Sequence, residues 1–129
     1  MKVAIIGGGA AGLMAAARLA ETREKLAERK SDTDIYLIEK NDGLGKKVLI
    51  SGGGRCNVTT GIQNIQIVLE KYPRGAKFLQ SAMHAFPPAT VCEWFESHGA
   101  PLKTEQDMRV FPRSDNGKDI VKVLYIKIL

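Results

Sequence analysis

The hydrophobic pattern is simplest near the amino terminus. A short apolar run from Val3 to Ile6 ends in glycines, and beyond them apolar residues recur at helical spacing from about Ala10 to Lys30. A second apolar run lies between Asp34 and Lys40. Short continuous apolar runs are typical of buried strands, and the spacing between them predicts a long helix. The pattern therefore predicts a strand, a helix and a second strand parallel to the first, the βαβ unit of an α/β fold.

The rest of the chain predicts further helices and one hairpin. Apolar spacing favours helices over residues 65–72 and 78–86, and a proline pair then begins another helix that ends near Gly99. Two short apolar runs, 102–105 and 108–111, predict a hairpin. The expected fold class is α/β, with a Rossmann-like βαβ unit followed by helices and a short β-hairpin.

The carboxyl-terminal segment is apolar on almost every side. Residues 120–129 begin like a helix but leave almost no polar face. An apolar surface of this kind is expected to pack against something. The expectation is self-association through residues 120–129, or contact with a partner chain.

Length and composition narrow the classes of function. The chain has 129 residues, of which 44% are hydrophobic and 26% charged, and this predicts a single globular domain over residues 1–129. The net charge of +5 comes without an aromatic-rich basic stretch, so nucleic acid is not an expected partner. No apolar run suits a membrane span or a secretory signal, and Cys56 and Cys92 suggest no disulfide or metal site. We expect a cytoplasmic protein with no membrane or metal partner.

The first strand is followed at once by the spaced glycines of a dinucleotide-binding turn. Gly7 allows a sharp turn, Gly9 leaves room for a pyrophosphate against the backbone, and Gly12 lets the helix pack close to the strand. The first helical amides, including those of Ala10 and Ala11, have no partners within the helix and favour an anion. This context predicts a dinucleotide site, and the alternative is a glycine-rich hinge without a ligand.

Glu39 ends the second strand, where a carboxylate can accept hydrogen bonds from the ribose hydroxyls of adenosine. The same charge would repel a 2′-phosphate, which argues against NADP in this pocket. Glu39 lies 27 positions after Gly12, against a usual spacing of about 20, and the charged extension of the helix accounts for the difference. The alternative is an ordinary surface charge at a strand end.

A second glycine-rich loop occupies residues 51–59. Its three successive glycines allow a ligand close to the backbone, and Arg55, Cys56 and Asn57 can orient that ligand. A nicotinamide domain has no obvious need for such a loop. A flavin does, because its isoalloxazine lies far from its adenine. An NAD-binding Rossmann domain remains the alternative interpretation among enzymes.

Together these motifs resemble the amino-terminal part of bacterial flavoproteins of the HI0933-like, or aminoacetone oxidase, family. Its members are described as NAD(P)/FAD-dependent oxidoreductases. The stretch from Ile50 to Thr59 is the most specific point of resemblance, supported by Gly7 to Gly12, Glu39-Lys40 and Gly45-Lys46-Lys47. The resemblance continues to Asp115 and covers nearly the whole chain.

The chain departs from this family in two ways. Family members often have glycine where Met108 stands, which bears on the turn of the hairpin. They are also considerably longer, and their helix is more polar where this chain has residues 124–129. We therefore expect an amino-terminal fragment or a truncated reading frame.

The resemblance implies FAD as the cofactor, NAD(P)H as a candidate reductant and an unidentified small molecule as the substrate. It implies the pyrophosphate at the spaced glycines, the adenosine ribose at Glu39, and the middle or flavin end of FAD near the second glycine-rich loop. With their basic and helix-start neighbours, the expected cofactor-binding residues are Gly7, Gly9, Ala10, Ala11, Gly12, Glu39, Lys40, Lys46, Ser51, Gly52, Gly53, Gly54, Arg55, Cys56 and Asn57.

Cys56 is the one candidate catalytic residue, and the alternative is an inert buried thiol. The expected function is that of the FAD-binding portion of an oxidoreductase that transfers a hydride between NAD(P)H or an organic substrate and FAD. This portion alone is not expected to complete a catalytic cycle. The alternative from a different class is a non-catalytic fragment that acts through its apolar carboxyl-terminal segment.

Overall fold

The computed structural model describes residues 1–25 and 33–126. The far end of the predicted first helix, residues 26–30, and the last three residues of the chain lie outside this part. The elements in chain order are β1 (Lys2–Ile6), α1 (Ala10–Lys25), β2 (Asp34–Ile38), α2 (Lys46–Ile50), a 3-10 turn (Ser51–Gly54), β3 (Thr59–Thr60), α3 (Ile65–Glu70), α4 (Ala76–Ala85), α5 (Pro88–Ser97), β4 (Leu102–Thr104), β5 (Arg109–Pro112) and α6 (Gly117–Ile126).

The predicted βαβ pattern is confirmed. β1 and β2 pair in parallel, with Lys2 opposite Asp34 and Ile6 opposite Ile38. α1 packs on both strands, and its buried apolar residues are Leu13, Ala16, Ala17 and Ala20. Alanine at these positions brings the helix axis close to the sheet. The carboxyl ends of both strands therefore lie beside the amino terminus of α1.

The prediction that both strands are buried is wrong for one face of the sheet. Ile6 is 75% exposed, Ile38 51% and Tyr36 48%. Successive side chains of a strand point to opposite faces, and α1 contacts these strands from one side only. The apolar runs therefore contain residues of both faces of the sheet. One face packs against α1, and no described residue covers the other.

The contacts of the chain divide it into two compact units. Unit 1 comprises residues 1–56 and the chain from Asn116 onward, and unit 2 comprises residues 57–115. Within unit 1, α6 packs on α1 and α2 and buries Ile120, Val123 and Leu124. Several apolar residues of the carboxyl-terminal segment are thus buried against other helices of the same unit. A single domain and self-association through residues 120–129 both stay predictions.

Unit 2 contains a three-stranded antiparallel sheet in the order β3-β5-β4. The predicted hairpin is confirmed as β4 and β5, with Thr104 opposite Val110. Phe111 in β5 is completely buried, and Trp94 and Phe95 of α5 are buried in the same unit. The helices of this unit also lie where the apolar spacing predicted them. The short strand β3 and, in unit 1, the helix α2 were not anticipated from the sequence.

Candidate functional site

The carboxyl ends of β1 and β2 form one wall of a cavity in unit 1. The amide of Gly7 donates to the carbonyl oxygen of Ile38, 2.8 Å away. The two strands therefore end side by side. The cavity has a volume of about 470 Å³, within the range of pockets that hold small molecules and cofactors. Its lining residues are Ile6, Gly7, Gly8, Gly9, Ile38, Glu39, Lys40, Asn41, Gly43, Gly45, Lys46 and Lys47.

Hydrogen bonds from neighbouring residues hold the Glu39 carboxylate in this cavity. Its Oε2 accepts from the amide of Gly8 at 2.7 Å. Its Oε1 accepts from the amide of Asn41 at 2.9 Å and from the side-chain nitrogen of Asn41 at 2.5 Å. The backbone amides of Asn41 and Gly8 hold the pKa of the Glu39 carboxyl below its ordinary value. The site therefore keeps an ionised acceptor at the end of β2.

The glycines of the first turn have different steric surroundings. A methyl group on Gly12 would lie 1.8 Å from the carbonyl oxygen of Gly7, so the helix can approach the strand only because Gly12 has no side chain. A methyl group on Gly9 would meet no protein atom within 4 Å. Gly9 thus leaves open space beside a cavity, which is where a bound phosphate would approach the backbone.

Gly8 has a structural function that the sequence did not suggest. Its amide is taken by Glu39, and its carbonyl oxygen accepts from the amide of Gly45 at 2.7 Å. A methyl group on Gly8 would lie 2.4 Å from Cδ2 of Leu44. The first glycine turn is therefore tied both to the end of β2 and to the start of α2.

The predicted helix-start residues, Ala10 and Ala11, open α1 beside the cavity but do not line it, and the same holds for Gly12. Their amides precede any i−4 partner in the helix. Since α1 has no acidic residue in its first turn, the positive end of its dipole is not neutralised by a side chain of that turn.

Three lysines line the cavity. Lys40 and Lys46 were predicted as site residues, and Lys47 was not. Lys46 forms an ion pair with Asp42 one helical turn before it, and its side chain is half exposed. Lys47 belongs to the same basic turn as Lys46, Gly45-Lys46-Lys47. The sequence alone did not show that both lysines would line the cavity.

The second glycine-rich loop is shaped by its backbone. Gly52 and Gly53 have φ values of +57° and +69°, a left-handed conformation that favours glycine. The hydroxyl of Ser51 donates to the carbonyl oxygen of Val48 at 2.9 Å. The amide of Cys56 donates to the carbonyl oxygen of Ser51 at 3.0 Å. The loop is therefore fixed to the end of α2. Its residues do not line the cavity at Glu39.

Cys56 is a buried thiol with only 5% of its surface exposed. Burial raises the pKa of this thiol, against a smaller lowering by a hydrogen bond with Ser51. A raised pKa leaves little thiolate at neutral pH, so the environment favours the inert interpretation over a nucleophile. Arg55 beside it is half-buried.

Asn57 begins unit 2 and contacts its sheet. In the orientation that satisfies the amide group, its nitrogen donates to the carbonyl oxygens of Thr59 at 2.9 Å and Val110 at 3.2 Å. These contacts hold β3 against β5. In unit 2, Arg109 binds Asp107 through Nε at 2.6 Å, and the amide of Arg109 lowers the pKa of the Asp107 carboxyl.

Residues 1–25 and 33–126 contain neither a candidate metal centre nor a candidate membrane-spanning helix. No group of three or more His, Cys, Asp and Glu side chains in this range could hold a metal ion. No helix in this range is both long enough and apolar enough to cross a membrane. A cytoplasmic location stays a prediction.

Comparison with known proteins gives two findings. The whole chain, residues 1–129, matches the family described as HI0933-like protein Rossmann domain. A relative from Clostridium scindens, the 3-dehydro-bile acid delta(4,6)-reductase, is 29% identical over 129 aligned residues. The alignment covers 98% of this chain and 28% of the relative. The chain thus spans little more than a quarter of that curated relative.

Proposed function

Because the chain belongs to the HI0933-like Rossmann-domain family, we propose that it is the FAD-binding portion of a flavin-dependent oxidoreductase. The single observation that carries this proposal is the cavity at the carboxyl ends of β1 and β2. It combines an open glycine, a fixed carboxylate and lysine side chains in one place. In parallel α/β sheets this edge is where nucleotides bind.

The residues present fit the adenosine diphosphate half of FAD. The empty space at Gly9 suits the pyrophosphate, and the first amides of α1 would stabilise its charge. Lys40, Lys46 and Lys47 supply positive charge to the same cavity. The ionised carboxylate of Glu39 has lone pairs for ribose hydroxyls and would repel a 2′-phosphate.

When bound, FAD supplies the two-electron chemistry of the reaction, with a reduced nicotinamide or an organic molecule as the donor. The chain's own residues bind and orient the cofactor. The proposal assigns the loop Ser51 to Cys56 to the more distant part of FAD, since its backbone conformation leaves Gly52 and Gly53 exposed. No catalytic role is proposed for Cys56.

The activity of the relative supports the direction of the reaction. That protein is a reductase of a dehydro-bile acid. We propose that the longer protein to which this portion corresponds likewise reduces an organic substrate. Binding of the cofactor belongs to the present chain, while the substrate is expected to need residues beyond it.

The test is a flavin assay on chain purified without added cofactor. The sample is heat-denatured, the protein is removed, and the released flavin is identified by chromatography. We expect FAD, or stoichiometric uptake of added FAD by an empty but folded sample. Preferential binding of NADH would support the nicotinamide alternative instead, and a folded chain that takes up neither dinucleotide would contradict the proposal.

A further inference from the structure

Asn41 is the residue of the cavity that the proposed cofactor chemistry leaves without a role. It follows β2 by three positions, and its side-chain nitrogen lies 2.5 Å from Oε1 of Glu39. Its own amide donates to the same oxygen at 2.9 Å. Asn41 therefore provides two of the hydrogen bonds that this carboxylate receives, beside those from the amides of Gly8 and Lys40.

The two oxygens of Glu39 are used differently. Oε1 is occupied by Asn41, and Oε2 is occupied by the amide of Gly8. The Glu39 carboxylate also lines the cavity, where a ligand can reach it. If Oε1 were released, the carboxylate could rotate and the bond to the glycine turn would be lost with it.

We propose that Asn41 is a positioning residue, which holds the Glu39 carboxylate in the orientation that accepts the ribose hydroxyls and keeps the glycine turn in shape. This inference rests on the proposed function for its ligand. The arrangement links the ribose and pyrophosphate ends of the site through Gly8, whose carbonyl oxygen in turn binds Gly45. Asn41 is not itself required to touch the cofactor.

Several charged groups lie near Glu39, and their influence must be separated from that of Asn41. Lys40, Lys46 and Lys47 line the same cavity. Asp42 forms an ion pair with Lys46. The hydrogen bonds from Asn41 and Gly8 lower the pKa of Glu39 from its ordinary value of 4.5. The carboxylate function is thus retained in mild acid and lost as the pH falls through this lowered pKa.

The first measurement needs no cofactor. The amide of Gly8 donates directly to Glu39, so its NMR chemical shift reports the protonation of that carboxyl. Asn41→Leu removes one charge-assisted hydrogen bond, and we expect the acid midpoint of the Gly8 signal to move to higher pH. An unchanged midpoint in a folded variant overturns the positioning role.

The second measurement is FAD affinity by flavin fluorescence at pH 7.5 and pH 5.0. For Asn41→Leu we expect about ten-fold weaker binding or more at pH 7.5, as for the loss of one hydrogen bond to a charged group. The loss should be larger at pH 5.0, whereas the unsubstituted chain should bind almost equally at both. In a Glu39→Gln background, Asn41→Leu should have little further effect, and this comparison also removes any contribution of Asp42.

Asn64→Leu is the matched control. Asn64 caps α3 in unit 2, where its side-chain oxygen accepts from the amides of Gln66 and Ile67. It should leave both pH profiles unchanged. Equal FAD affinity for Asn41→Leu and the unsubstituted chain at both pH values overturns the inference. Absence of FAD binding by the unsubstituted chain overturns the proposed function instead, and the Gly8 midpoint then decides the positioning of Glu39 by itself.

Discussion

At the scale of single residues, Gly9 and Gly12 belong to one motif but are needed for different reasons. Gly12 lies against the carbonyl oxygen of Gly7, and a methyl group there would be only 1.8 Å from it. That requirement belongs to the fold. Gly9 borders open space, so the protein itself does not require glycine there, and the proposed ligand does. Substitution can therefore separate folding from binding within one turn.

We predict that Gly9→Val leaves the chain folded but abolishes FAD binding, because the side chain occupies the place of the pyrophosphate. Gly12→Ala should instead destabilise the chain by about 2 kcal/mol or more, as expected for overpacking against backbone. Urea denaturation and FAD titration of the two variants measure the two effects. Undiminished FAD affinity in folded Gly9→Val would refute the site, and an equally stable Gly12→Ala would refute the steric argument.

Residue types in the first turn were predictable because their spacing is set by local geometry. The motif placed Gly7, Gly9 and Glu39 at one edge of the sheet, and all three line the cavity. Asn41 and Gly8 could not be found in this way. Gly8 and Glu39 lie 31 positions apart, and no periodicity encodes a hydrogen bond between them. The contact of Asn41 with Glu39 spans only two positions, but it belongs to no motif of the sequence.

At the scale of elements, the hairpin of unit 2 forms around a residue that is poorly suited to its backbone. Met108 has a φ of +66°, in the left-handed region. Its amide donates to the carbonyl oxygen of Glu105 at 2.9 Å, which closes the turn. Where family members often have glycine, this chain therefore has methionine in a backbone conformation that favours glycine.

We predict that Met108→Gly is more stable than Met108→Ala by about 1 kcal/mol, because only glycine adopts a left-handed backbone without a steric penalty. Comparing the two variants removes the loss of the methionine side chain, which both share. Ala82→Gly in α4 is the control and should cost about 1 kcal/mol, the ordinary direction in a helix. Urea denaturation measures all three. A Met108→Gly chain no more stable than Met108→Ala would show that the turn is not strained.

The elements that the sequence missed are short. α2 has five residues and β3 has two, and neither is long enough to show a period. α2 depends on Gly45, where a side chain would collide with Val121 of α6. β3 depends on pairing with β5. Both are therefore stabilised by partners distant in the sequence.

At the scale of the whole molecule, FAD binding should protect some regions of the chain from hydrogen exchange and not others. The cavity lies within unit 1 and is built from residues 6–9 and 38–47. A ligand that binds only the folded state slows exchange of the amides that open with its site. Protection should therefore not be uniform along the chain.

We predict that saturating FAD slows hydrogen exchange in residues 7–12 and 39–47 by about ten-fold or more. The hairpin tip, residues 104–108, should be unchanged and serves as the internal control. Mass spectrometry of proteolytic peptides measures both regions. Equal protection of the two regions, or protection of the tip alone, would contradict the assignment of the adenosine diphosphate site to this cavity.

The sequence by itself determined the βαβ unit, the hairpin and the family, and it predicted the residues of a dinucleotide site, because each depends on local periodicity or on a motif of fixed spacing. Only the tertiary structure decided that the outer face of the two strands is exposed, that Cys56 is buried, and that the amide of Gly8 binds Glu39. The physical reason is the same in each case. Burial and hydrogen bonding between distant residues are set by which surfaces meet after folding, and neighbours along the chain do not specify them.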